Sequence, residues 1–182
     1  MTPEQLKFSQ AIRPLLVRLD RFVAARVDNQ HVADICSDVL AVAWQKRSRL
    51  DLDSSAEDGG LLAFLLTTAR FQIKNLQRKN QVAYRLQPVL QKAGAVPSPE
   101  DDALADIAVT AAFAALTAAD QEILAMTAWD GLTPPQIAKV LGVTTNNASV
   151  KLNRARGRLR EALSLQDVIV ASSKNSTAKD IN

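Results

Sequence analysis

The residues best equipped for chemistry lie late in the chain, in Val143–Arg160, VTTNNASVKLNRARGRLR, whose last ten residues hold five basic side chains. The segment contains no acid. Ala148, Leu152, Ala155, Leu159 and Leu163 recur at spacings of four and three, the narrow apolar stripe of a helix with one buried face. Away from that stripe stand Thr145, Asn146, Ser149, Val150 and Asn153, with Asn147, Lys151, Arg154 and Arg158 along one flank. Arg156 and Arg160 take the other flank. Asparagine can pair with both N6 and N7 of adenine in the major groove, while lysine and arginine hold phosphates. A competing explanation is local: cations in a last turn steady a helix C-terminus through its dipole, which accounts for Arg158 and Arg160. It does not account for Lys151 and Arg154 in mid-helix.

No comparable case exists for catalysis. The chain has one histidine, His31, and one cysteine, Cys36, without clustered metal-ligand or phosphate-loop spacing. Neither an enzyme nor a metal or cofactor is expected, and His31 reads as a surface residue at a helix start. The lone cysteine excludes an internal disulfide and fits a reducing compartment. Net charge is only +3 over 182 residues, so any nucleic-acid affinity must come from local charge. The longest apolar run, Leu61–Leu66, is too short to span a bilayer, and no secretory leader opens the chain. A cytoplasmic protein without membrane insertion is expected.

The elements that must position these residues are helical. Thr2–Gln5, TPEQ, has the form of a capping box with proline at the first helical position, and Pro14 interrupts the helix that follows. A second helix would bury Leu15, Leu16, Leu19, Phe22 and Val23, and a third Ile35, Val39 and Val42, towards Trp44. An acidic loop, Leu50–Gly60, precedes a long helix from Leu61 to about Lys79. Residues 81–103 hold Gly94, Pro97 and Pro99 without apolar periodicity and read as a linker, with SPEDD at Ser98–Asp102 starting a new helix. Thr117 and Thr133 cap two further helices, the second with Gln136 completing a capping box. Gly142 suits a left-handed turn, and only Val143 separates it from another threonine cap. Such a short glycine turn forces two helices to cross steeply, as in a helix-turn-helix. The expected fold is all-α: two small helical domains, 1–80 and 104–165, joined by the flexible linker 81–103, with a disordered tail at 166–182.

Residues 116–163 resemble region four of bacterial RNA polymerase sigma factors of the sigma-70 family, extracytoplasmic-function group. The resemblance rests on LTAADQE, QIAKVLG and SVKLNRARGRL, which follow that region's pattern. Upstream, HVADICSDVLAVAWQKRSRLD and LLAFLLTTARFQIKNLQRKN resemble region two. The resemblance implies a sigma factor that binds core RNA polymerase and directs promoter-specific initiation. Region two would dock on the polymerase through Asp34, Ile35, Asp38 and Leu40, with Trp44 as core. It would open the minus-ten element with Phe64, Arg70, Phe71, Lys74, Asn75 and Arg78, Phe64 reading more readily as core. Region four would read the minus-thirty-five element with Thr145, Asn146, Asn147, Ser149, Lys151, Asn153 and Arg154. An anti-sigma factor is implied as a regulator. Ser37–Asp38 in place of the usual QE, Asn75 where aspartate is common, and an aromatic content of only 4% weigh more against promoter melting than against binding. Two alternatives stay open: a helix-turn-helix regulator acting without polymerase, and a sigma-like partner unable to initiate alone.

Overall fold

The computed structural model describes residues 2–52, 60–80 and 108–177, with side chains described to Leu165. All regular structure among these residues is helical. The first set comprises α1 (Pro3–Ile12), a 3-10 turn (Arg13–Leu15), α2 (Leu16–Ala24), α3 (Asn29–Gln45), a second 3-10 turn (Arg47–Arg49) and α4 (Gly60–Asn80). The second comprises α5, helical over residues 108–114, then α6 (Ala118–Ala128), α7 (Pro134–Leu141) and α8 (Thr145–Thr177).

Local chemistry accounts for the helix ends. Thr2 Oγ1 accepts from the Gln5 amide at 3.3 Å while Gln5 Oε1 accepts from the Thr2 amide at 2.7 Å, closing the capping box. Pro14 falls in the 3-10 turn that separates α1 from α2, where an unbroken α-helix would lose a hydrogen bond. The α2–α4 core is built from Leu15, Leu19, Phe22 and Val23 against Ile35, Val39, Leu62, Leu65, Leu66 and Ala69. Leu16, expected on that face, is 40% exposed: it lies at the edge of the stripe centred on Leu19, at the first residue of α2.

The two sets do not stand apart. α4 packs on α7, and one contiguous apolar cluster runs from Ile12 through α4 to Ala155 of α8. Polar contacts cross the same seam, among them Thr67 Oγ1 of α4, which donates to the Val140 carbonyl of α7 at 3.4 Å. Arg26 pairs with Asp130 at 2.7 Å with both side chains almost wholly buried. Arg18 Nη2 donates to the Asp130 carbonyl at 3.2 Å, and Arg70 grips Glu122 through Nε at 2.6 Å and Nη2 at 3.0 Å.

α8 continues to Thr177, through the first part of the segment expected as a tail. The helix start at Ser98, the linker 81–103 and most of the acidic loop lie outside the described residues.

Candidate nucleic-acid and polymerase interface

α6, α7 and α8 form a helix-turn-helix whose geometry follows from its caps. Thr117 Oγ1 accepts from the Asp120 amide at 3.2 Å and starts α6. Gly131, with φ at 62°, turns the chain after α6, and the Leu132 amide reaches back to the Met126 carbonyl at 2.8 Å. Thr133 and Gln136 complete the expected capping box at α7, the Thr133 amide donating to Gln136 Oε1 at 2.9 Å. Gly142 adopts φ of 67°, the left-handed conformation that a side chain disfavours. The Val143 amide then donates to the Ala138 carbonyl at 3.0 Å. The next residue, Thr144, caps α8, its Oγ1 accepting from the Asn147 amide at 3.2 Å.

Ala148 and Ala155 are fully buried and Leu152 nearly so, which fixes the rotation of α8. Thr145, Asn146, Asn147, Lys151, Asn153 and Arg154 are consequently exposed, with Ser149 half-buried beside them. The seven residues expected to read DNA thus share one open face of two and a half turns. Arg158 behaves differently. Its Nη1 contacts both carboxylate oxygens of Asp120, at 2.7 and 2.8 Å, so it ties α8 to the first turn of α6 rather than capping its own helix. The local-dipole explanation is replaced by a tertiary one.

With the helix-turn-helix in view, the family comparison is decisive for this half. The description "Sigma-70, region 4" matches residues 106–159. That segment, from α5 into α8, is similar to sigma-70 region 4. Its whole fold is similar to that of CnrH, solved in complex with the cytosolic domain of CnrY, at TM-score 0.58 and 21% identity over 87% of this chain and 88% of that one. It is also similar to the sigma factor RpoE of Bartonella quintana, solved with the anti-sigma factor NepR, at TM-score 0.57 and 22% identity over 86% and 96%. No curated protein matches the chain. At these identities the two structures speak for the fold.

In the chain's N-terminal half, the sequence-predicted residues divide. Asp34 and Asp38 are exposed one turn apart on α3, and Leu40 is half-buried. Ile35 is only 6% exposed; it belongs to the core and offers no surface to a partner. Trp44 packs edge-on against Phe8, ring centroids 5.1 Å apart, and the Arg47 guanidinium lies 4.1 Å from its ring centroid. On α4, Lys74, Asn75 and Arg78 are exposed. Phe71 is the open aromatic at 64%, whereas Phe64 is half-buried against the core. Arg70 points across the seam to Glu122, so in this arrangement its guanidinium is not on a DNA-facing track.

Arg26 and Asp130 are the residues that reading the sequence missed. A signal for Arg26 existed: it continues the Leu19, Phe22, Val23 stripe at helical spacing, placing a cation on a buried face that must find an anion. Among the described residues, no three metal-ligand side chains cluster and no helix is long and apolar enough to cross a membrane. Burial, with Asp20 adding, pushes the Cys36 thiol up to about 11, so it stays protonated and poorly nucleophilic near neutrality.

Proposed function

We propose that this chain is a promoter-specificity subunit of the extracytoplasmic-function type, working in the cytoplasm as a non-enzymatic partner of core RNA polymerase. The observation that carries the reading is the open polar face of α8 within a sigma-70 region 4 match. That face puts amides and hydroxyls in the N-terminal turns, where a recognition helix meets base edges, and cations further on, where it meets the backbone. Asp34 and Asp38 form the acidic contact on α3 for polymerase. Phe71, Lys74, Asn75 and Arg78 form the surface on α4 for the minus-ten strand, a ring for stacking beside cations for phosphates. An anti-sigma factor is the regulator this reading implies, as for RpoE with NepR.

The reading has a geometric consequence. Elements centred near minus ten and minus thirty-five are about 25 base pairs apart, or about 85 Å at about 3.4 Å per pair. α4 packs on α7 and α7 on α8, two interaxial steps of about 8–10 Å each. The closed seam cannot serve both elements at once, so promoter binding requires it to open.

In vitro transcription with purified core polymerase tests the reading. A run-off product from a cognate promoter is expected. DNA binding without any need for core, and no transcript, would favour a polymerase-independent regulator. Asp38→Ala is expected to weaken core binding in a pull-down while leaving duplex binding by the helix-turn-helix intact.

A further inference from the structure

Along α8 one exposed residue does not fit its neighbours. Val150 is 38% exposed, the only large apolar side chain between Thr144 and Leu163 in the exposed class. Leu152 is buried and Leu159 is half-buried against the core, so the apolar stripe that holds the helix down is complete without Val150. Helix formation does not explain it either, since a β-branched side chain is less favourable there than alanine, lysine or glutamine. Its position is informative. Asn146 and Asn147 lie one turn before it, and Asn153 and Arg154 one turn after, so Val150 sits at the centre of the polar face.

Among the hydrogen-bonding groups on the major-groove edges of the base pairs, one apolar group projects into the groove, the 5-methyl of thymine, where cytosine has only a hydrogen. An apolar side chain ringed by amides is complementary to a methyl ringed by acceptors and donors. We propose that Val150 is a specificity-determining residue that packs on a thymine methyl in the minus-thirty-five element, between the bases met by the asparagines. The inference rests on the promoter-binding reading of α8 and adds a base identity to it. Because Val150 contributes contact and no hydrogen bond, it selects thymine over uracil as well as over cytosine, which a hydrogen-bonding residue does not do.

The experiment uses the holoenzyme, the full chain with core polymerase, on duplexes selected by it from a pool randomised across the minus-thirty-five region. Each thymine of the selected sequence is replaced singly by deoxyuridine. One replacement is expected to weaken binding by about threefold to fivefold, the worth of one buried methyl. Val150→Ala, which favours the helix, should bind thymine and uracil duplexes alike, and Val150→Thr, which keeps one methyl in place, should retain part of the discrimination. Equal binding of all deoxyuridine duplexes by the native chain overturns the proposal, as does full discrimination by Val150→Ala. A pool that yields no enriched sequence overturns the promoter reading itself, and this inference with it.

Discussion

α4 and α8 carry basic residues at similar spacing and spend them differently. On each helix one arginine is drawn into an ion pair with a carboxylate of α6: Arg70 with Glu122, and Arg158 with Asp120. The Arg158 pair lies inside one domain, so it survives whatever the seam does. The Arg70 pair crosses the seam and is lost when the seam opens. Basic residues on α8 therefore have fixed roles, Lys151 and Arg154 outward and Arg158 inward, whereas Arg70 has a role that depends on the relation between the two domains. A run of cations in a sequence cannot by itself distinguish these cases, because the deciding carboxylates are 52 and 38 residues away.

The comparison predicts a hierarchy of effects, the largest at the seam. Asp130→Asn should leave the Arg26 charge buried without its anion, at a cost of about 3–5 kcal/mol. Arg26 Nε already has no partner, so the site holds no spare acceptor to relieve the loss. Urea unfolding is the measurement. A loss within about 0.5 kcal/mol, the scale of ordinary surface substitutions, would show that the seam is open in solution and that Asp130 is solvated.

The open face of α8 comes next, with effects on recognition instead of stability. Asn146→Ala or Asn147→Ala should cost about 1–3 kcal/mol of discrimination at one base, with little change on unrelated sequences. Competition binding across single-base variants of the preferred duplex reads this directly, and unchanged preference at every base would remove both residues from the reading face. Arg154→Ala should act differently. It should weaken all sequences alike and lower the slope of log affinity against log salt by about one contact. None of the three substitutions should move the urea midpoint appreciably, since all three side chains are exposed.

The balance between what was legible in the sequence and what was not follows the same line. Thr117, Thr133 with Gln136, and Thr144 act within three residues of their partners, and Gly142 meets a requirement of its own backbone. Their roles could be read from order alone, and with them the rotation of α8 and its outward face. Leu16 was misplaced at the edge of the α2 stripe, whereas Ile35 is buried as its periodicity indicates and against the contact role that the resemblance implied. The seam could not be read, because its ion pairs join residues 104 and 52 apart. Only the misplaced charge on the α2 stripe signalled that a distant anion was required.

The smallest effect is the most discriminating for the seam. Glu122→Gln removes the carboxylate that competes with nucleic-acid phosphate for Arg70, while keeping the shape of the side chain. Both partners are partly solvent-exposed, so the pair is worth at most about 1 kcal/mol. In the free chain the variant should bind a single-stranded minus-ten oligonucleotide about twofold to fivefold more tightly, as measured by fluorescence anisotropy. In the holoenzyme, where the promoter-binding reading requires an open seam, the same substitution should change nothing. A gain in both settings would mean that Glu122 repels the strand directly and that Arg70 is not released by opening. A gain in neither would separate Arg70 from the strand and leave Lys74 and Arg78 as the cations of that surface.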